Sequence, residues 1–191
     1  MFQNIQYLYE VDFISNKRAK ILSMESAFEN ATELTDITFE GFDTSEITSL
    51  RGLLRNTQIQ SLENLKITSE KILDFSYMLS GTPINNPDLR DLYTSHAKNL
   101  SHLLYDCKSL VSITLNINTL NVEDMSGLFK GCNSLSEINF IKFNTSKVTD
   151  MSSMFESCFS LETLDLSKFD TKQVTSMARM FVECSLIQTL D

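Results

Sequence analysis

The sequence has few of the residues on which common enzyme and metal-binding motifs depend. Its 191 residues include five glycines, four cysteines and two histidines. The glycines form no phosphate-binding loop, and no two cysteines form the close CxxC pair of structural zinc sites. His96 and His102 stand in no pattern with a nucleophile or a carboxylate. We therefore predict no catalytic residue, no cofactor and no metal site.

Clustered basic residues and long apolar runs are also missing. The formal net charge is −9, whereas a surface that binds phosphates needs grouped Lys and Arg. No apolar run approaches the roughly 20 residues of a membrane helix. We predict that the protein binds no nucleic acid and spans no membrane. The first residues lack the basic start and apolar core of a signal peptide, which favours an intracellular location.

The sequence does contain one repeat from end to end. The segments DMSGLFKGC and DMSSMFESC begin 26 residues apart, and the same register continues at intervals of 25 or 26 in both directions. Its first positions are Met24, Leu50, Phe75, Leu100, Met125, Met151 and Met177. The prediction is a single solenoid domain, 1–191, with a partial repeat 1–23, repeats 24–49, 50–74, 75–99, 100–124, 125–150 and 151–176, and a partial repeat 177–191.

Each repeat combines two periodicities. Met151, Met154, Phe155 and Cys158 follow the spacing of one face of a short helix. Leu161, Leu164 and Leu166 then give LxxLxL, whose alternation predicts a short strand. Stacked units place these strands side by side in a parallel sheet, and such crossovers are right-handed. The predicted fold is an α/β repeat: a right-handed leucine-rich-repeat solenoid with a short helix or helical turn plus a short parallel strand per 25- to 26-residue coil.

The segment MSSMFESCFSLETLDLSKFDTKQVTSM resembles the repeat of the BspA-like leucine-rich-repeat family, the 26-residue repeat of bacterial surface proteins that also occurs in protists. The likeness is clear in 24–47 and 125–191 and degraded in 50–99. It implies a leucine-rich-repeat solenoid and a setting at the cell surface or in secreted proteins, in adhesion or host contact. In protists the same repeat is compatible with an intracellular assembly.

One cysteine column has two interpretations. Cys107, Cys132, Cys158 and Cys184 occupy the same position in four successive repeats, where an earlier repeat has Ala31. They form either a metal or redox ladder or a column of small buried thiols. The second interpretation is favoured because a free cysteine packs as a small apolar residue.

The outward positions of the predicted strands are the candidate binding site. The core positions of a solenoid specify the fold and leave the outward ones to specify a partner. The candidates are Asp36, Thr38, Glu40, Thr114, Glu137, Asn139, Thr163 and Asp165. This polar, acidic face predicts a non-enzymatic protein–protein interaction or scaffold module. The alternatives are a cell-surface adhesin and a metal- or redox-active protein that uses the cysteine column.

The middle and the ends of the chain depart from the regular repeat. Residues 50–99 contain both prolines, Pro83 and Pro87, and predict a loop or bend in irregular coils that are either functional or drifted. The chain begins within one repeat and stops within the strand of another. Solenoids need covered ends, so either the chain is a fragment or a neighbour covers an end, and the second option predicts a subunit of a larger complex or an end-to-end oligomer.

Overall fold

Short parallel strands recur along the chain in a computed structural model that describes residues 2–15, 19–90 and 92–190. The strands are β1 (Glu10–Ile14), β2 (Asp36–Glu40), β3 (Ser112–Leu115), β4 (Glu137–Phe140), β5 (Thr163–Leu164) and β6 (Thr189–Leu190). They form three separate parallel pairs, β1–β2, β3–β4 and β5–β6. Glu10 lies opposite Asp36 and Ser112 opposite Glu137, so each pair joins equivalent positions of successive repeats.

The predicted helix of each repeat is wrong, because the described residues contain no helix. The segments 24–31, 50–57, 75–82, 100–107, 125–132 and 151–158 are instead runs of tight turns. We call these stacked segments the turn ribbon. Their apolar residues still point inward at the predicted spacing, which is why the pattern resembled that of a helix.

The hydrogen bonds of the turn ribbon explain why it is not helical. In 125–132, Leu128, Lys130 and Cys132 each donate their N–H to the carbonyl three residues earlier. The intervening N–H groups donate to the next coil, Gly127 to Ser152, Phe129 to Met154 and Gly131 to Glu156. An α-helix would use every donor internally, through bonds to the fourth residue back. Half of the donors in the ribbon hold the next coil instead.

Left-handed backbone conformations make this alternation possible. Gly127 and Gly131 have φ values of 59° and 77°, and the equivalent Ser153 and Ser157 have 55° and 62°. Positive φ at the third residue is what a type II turn requires, and it interrupts any right-handed helix. Each segment of the turn ribbon therefore contains two residues in a backbone conformation that a right-handed helix excludes.

The core consists of side-chain columns that run along the solenoid. The first ribbon positions Leu50, Phe75, Leu100, Met125 and Met151 are fully buried. In another column the rings of Phe129 and Phe155 are parallel, with centroids 5.7 Å apart. The inward strand residues Ile37, Ile113 and Leu164 are at most 4% exposed. Burying one such side chain contributes about 2 kcal/mol to stability.

A line of parallel bridges joins the coils just before the turn ribbon. It runs from Ser49 through Asp74, Asn99, Asp124 and Asp150 to Ser176. Buried threonines connect the coils nearby: Thr145 accepts the N–H of Asp170 and donates its hydroxyl to the carbonyl of the same residue. The stack is thus continuous along the chain even where strands are missing. Among the described residues no helix has the length and apolarity needed to cross a membrane.

Candidate functional site

The eight candidate residues lie where the strands alternate between core and solvent. Asp36, Glu40, Thr114, Glu137, Asn139, Thr163 and Asp165 are exposed, and Thr38 is half-buried. Their neighbours Ile37, Phe39, Ile113, Leu115 and Leu164 are buried. We call the solvent side of the strands the strand face. Partner binding by these residues stays a prediction.

The strand face is divided into two groups. In the first group Asp36 lies opposite Glu10, and Thr38 opposite Asp12. In the second group Thr114 lies opposite Asn139, with Thr163 and Asp165 in the following coil. The irregular coils 50–99 separate the groups, and their described residues, 50–90 and 92–99, contribute no strand. The structure therefore does not bring the eight candidates together on one continuous sheet.

Negative charge is concentrated on the first group. Glu10, Asp12, Asp36 and Glu40 lie on two strands about 4.8 Å apart. Within the described part of the chain none of the four forms an ion pair. In the second group, hydrogen bonds from Ser167 hold the pKa of Asp165 below its ordinary value, so this carboxylate stays charged. Such a face attracts cationic groups.

The irregular coils form a groove between the two groups of the strand face, on the side of the solenoid that carries the strands, which we call the strand side. This central groove, of about 330 Å³, has an apolar floor that includes Leu62, Leu65 and Leu92. Glu63 and Asp88 are on its rim. An adjoining depression is lined by Asp36, Gln60, Glu63 and Asn64, and it shares Gln60, Ser61 and Glu63 with the groove. The candidate Asp36 thus lies beside a concave surface that sequence analysis did not locate.

The groove exists because the backbone of the irregular coils does not continue the sheet. LxxLxL comes two residues late at Leu62, Leu65 and Ile67, and Pro87 has no N–H for a strand ladder. The chain bends at Asn85 and Asn86, close to the predicted loop. The N–H groups of Gln60, Leu62 and Asn86 find no acceptor among the described residues.

The cysteine column is hydrogen-bonded, and Cys107, Cys132 and Cys158 are buried whereas Cys184 is half-buried. Each thiol donates to a carbonyl of the preceding coil: Cys107 to Leu79, Cys132 to Leu104, Cys158 to Phe129 and Cys184 to Phe155. Burial raises the pKa of Cys107 to about 11 and that of Cys158 to about 12. A neutral thiol is a poor metal ligand and a poor nucleophile, because both roles require the thiolate. These cysteines pack the core and satisfy carbonyl oxygens.

The two histidines also have local partners. Nδ1 of His96 lies 2.8 Å from the carbonyl oxygen of Glu70. His102 stacks on Tyr77 with ring centroids 4.6 Å apart, and desolvation lowers its pKa. Among the described residues no group of three or more His, Cys, Asp or Glu side chains could hold a metal ion.

The repeat, the stacked coils and the parallel strands together define a leucine-rich-repeat solenoid. A leucine-rich-repeat protein of T. pallidum has a similar fold, with a TM-score of 0.52 and 17% identity over 84% of this chain and 68% of that one. The chain also matches a leucine-rich-repeat protein of Bacteroides ovatus, with a TM-score of 0.30 and 16% identity over 86% of this chain and 68% of that one. An internalin of Listeria monocytogenes gives a TM-score of 0.24 and 18% identity over 85% of this chain and 42% of that one.

The family described as "Mycoplasma protein of unknown function, DUF285" matches residues 22–136 and 112–190. These two matches span most of the sequence, so the chain belongs to this family. They overlap because the sequence repeats itself. The comparison with curated proteins found no similar sequence.

Proposed function

We propose that the chain is a non-enzymatic protein–protein interaction or scaffold module that binds a partner protein through its strand face. The observation that carries this proposal is the alternation of buried and exposed side chains along each strand. Ile37 and Phe39 are buried and hold the coils together, whereas Asp36 and Glu40 on the same strand are exposed and form no ion pair among the described residues. Such outward side chains are free to contact another molecule.

The charge of this face favours a partner with basic groups. Four carboxylates on β1 and β2 attract cations over a distance close to the Debye length, about 8 Å at physiological salt. Complementary charge accelerates encounter more than it strengthens the final complex. We infer a salt-dependent association rate, and the same charge disfavours nucleic acid as the partner.

The non-enzymatic assignment is supported by the state of the reactive side chains. The four thiols donate to carbonyl groups, and burial keeps the pKa of Cys107 and Cys158 far above neutrality. A redox or metal role for this column would require thiolates. The chain is proposed to act as one solenoid domain with the boundaries predicted from the repeat, within a larger complex or an end-to-end oligomer.

A cell-surface adhesin or host-contact protein is the second candidate. The observation that favours it is the resemblance of 125–191 to the BspA-like repeat, which implies a setting at the cell surface. Labelling of intact cells with a membrane-impermeant biotin reagent distinguishes the two. Modification of the protein on intact cells supports the adhesin, and modification only after lysis supports the intracellular module.

The proposed function is tested by affinity capture from the native source, read by mass spectrometry. The test variant changes Asp36, Glu137 and Asp165 to Lys. The matched control changes Glu25, Glu33 and Glu70 to Lys; these residues are exposed, lie outside the strands and form no ion pair among the described residues, and the control has the same net charge. Partners lost only with the test variant support the strand face. Equal loss with both variants contradicts it, because the effect would then be one of total charge. Circular dichroism establishes that both variants fold.

A further inference from the structure

We propose that the irregular coils carry a peptide-docking site: the central groove receives an apolar side chain of an extended partner segment, and the adjoining depression receives a cationic side chain of the same segment. This inference rests on the proposed function, because it specifies where on the strand side a partner binds and which chemistry it presents. It also gives the irregular coils a role that repeat drift alone would not provide.

The apolar subsite is the floor of the central groove. Leu62, Leu65 and Leu92 are only half-buried, although each packs against the core on its inner side. They come from two successive coils and line a space of about 330 Å³. Covering their outer surface with an apolar side chain removes the remaining apolar area from water, which stabilises a complex by about 25 cal/mol per Å².

The cationic subsite is the adjoining depression. Asp36 and Glu63 both line it, and no lysine or arginine of the described chain lines either depression. Asp36 accepts hydrogen bonds from the N–H of Ile37 and the amide of Asn64, but forms no ion pair. Lys66 is close in sequence, yet its ammonium group donates to the carbonyl of Glu63. Two carboxylates without a cation match a guanidinium or ammonium group.

Asp88 contributes less to this attraction. Its carboxylate already accepts hydrogen bonds from the guanidinium group of Arg90, and these bonds lower its pKa to about 2. The uncompensated charge therefore lies at the end of the groove nearest β2. The cationic side chain of the partner is expected at that end.

The backbone of the groove favours a peptide over another kind of ligand. Gln60, Leu62 and Asn86 present N–H groups with no acceptor in the described chain. An extended segment offers main-chain carbonyls at regular intervals, as in the addition of a strand to a sheet. The carboxylates repel phosphate and other anions. A neutral small molecule would leave the two carboxylates without a cation.

The probe is a short fluorescent peptide with one leucine and one arginine in a background of serine, glycine and alanine, prepared with several spacings between the two. Two comparison peptides replace the arginine by glutamate or the leucine by serine. Fluorescence anisotropy with the full chain measures their affinities. For the spacing that fits, we expect each replacement to weaken binding about tenfold, which corresponds to about 1.4 kcal/mol.

Charge reversal supplies the decisive variant. Glu63→Lys should abolish the preference for the arginine peptide over the glutamate peptide, because the new ammonium group offsets the remaining carboxylate of Asp36. Glu137→Lys, which reverses an equally exposed carboxylate on β4, should leave the preference unchanged. Leu92→Ser should weaken binding of the leucine peptide about tenfold, whereas Leu186→Ser, at an exposed leucine of the last coil, should not.

The outcomes separate this inference from the proposed function. Absence of peptide binding at every spacing, or an equal loss with Glu63→Lys and Glu137→Lys, overturns the docking site. Affinity capture separately tests the proposed binding of a partner protein by the strand face. It uses two variants of the chain: one carries Glu63→Lys, and the other carries Glu137→Lys and Asp165→Lys. Partners lost only with the second chain leave the strand face as the binding surface without the groove. Partners lost only with Glu63→Lys support the groove.

Discussion

The regular coils 100–176 and the irregular coils 50–99 share one side of the solenoid and differ on the other. On the side of the turn ribbon their backbone hydrogen bonds to the next coil are the same. The N–H of Leu54 donates to the carbonyl of Met78 with an N–O distance of 3.0 Å, and the N–H of Leu104 donates to that of Leu128 at 3.1 Å. On the strand side the regular coils contribute β3, β4 and β5, whereas the part of the irregular coils that the structure describes contributes no strand. The stack therefore depends on the ribbon and the bridges, and the strand side is free to vary.

This difference explains how a solenoid tolerates a groove. The line of bridges passes through Asp74 and Asn99 without interruption, so the irregular coils stay in register with their neighbours. In the irregular coils the loss of strand pairing leaves apolar and backbone groups partly exposed. A binding site gained in this way costs little stability, because the remaining contacts of each coil are intact.

The largest effect is expected for a charge introduced into the strand side of a regular coil. Leu164 is 4% exposed, so Leu164→Asp should destabilise the protein by about 4 kcal/mol because the carboxylate is buried without a partner. Leu65→Asp in the irregular coils should cost about 2 kcal/mol, since Leu65 is half-exposed and the carboxylate reaches water. Urea unfolding followed by circular dichroism gives both values. Asp165→Lys, at an exposed residue, is the control and should leave the free energy of unfolding nearly unchanged. A loss as large as that of Leu164→Asp would refute the assignment of Leu164 to the core and of Asp165 to the surface.

A smaller and equal effect is expected for matched ribbon positions. Leu79 and Leu104 are fully buried at the same position of an irregular and a regular coil. Leu79→Ala and Leu104→Ala should each cost about 3 kcal/mol, because both remove the same side chain from an equally packed column. A much smaller loss of unfolding free energy for Leu79→Ala than for Leu104→Ala would contradict the view that the two regions share one side. The irregular coils would then be loosely packed on both sides.

The smallest effect is a pH dependence of the regular coil 151–176. Arg179, with Ser153 and Lys130, lowers the pKa of Glu156 to about 2 from its ordinary value of 4.5. The folded pKa lies below the unfolded one, so the stabilisation is complete above 4.5 and is lost as the pH falls from 4.5 towards 2. The equivalent residues of the irregular coils are Arg55 and Ser80, and neither is a carboxylic acid.

Hydrogen exchange at several acid pH values checks this dependence. The protection of the amides of 151–158, measured relative to the intrinsic exchange rate at each pH, should fall towards low pH, and Glu156→Gln should remove most of this fall. Glu162→Gln, at an exposed glutamate without an ion pair in the described chain, is the control. An equal response of 75–82 would show that the acid effect is global.

The repeat pattern predicted most of the core. The columns at Met125, Phe129 and Cys132, and the alternation around Leu164, follow directly from fixed spacing, because equivalent residues of stacked coils have equivalent surroundings. The helix was predicted wrongly because the turn ribbon places apolar residues inward at the same intervals. A second signal distinguishes the two: Gly127 and Gly131, like Asn30 and Asn56 in other repeats, occupy the positions of positive φ.

The sequence by itself determined the period, the stacking and the division between core and surface, because these follow from local spacing repeated many times. Only the tertiary structure decided where the concave surface lies. Asp36, Glu63 and Leu92 belong to three different coils and meet only after stacking. Their meeting depends on a two-residue shift and on the missing N–H of Pro87, whose effect on pairing is set by the neighbouring coils and not by the segment itself.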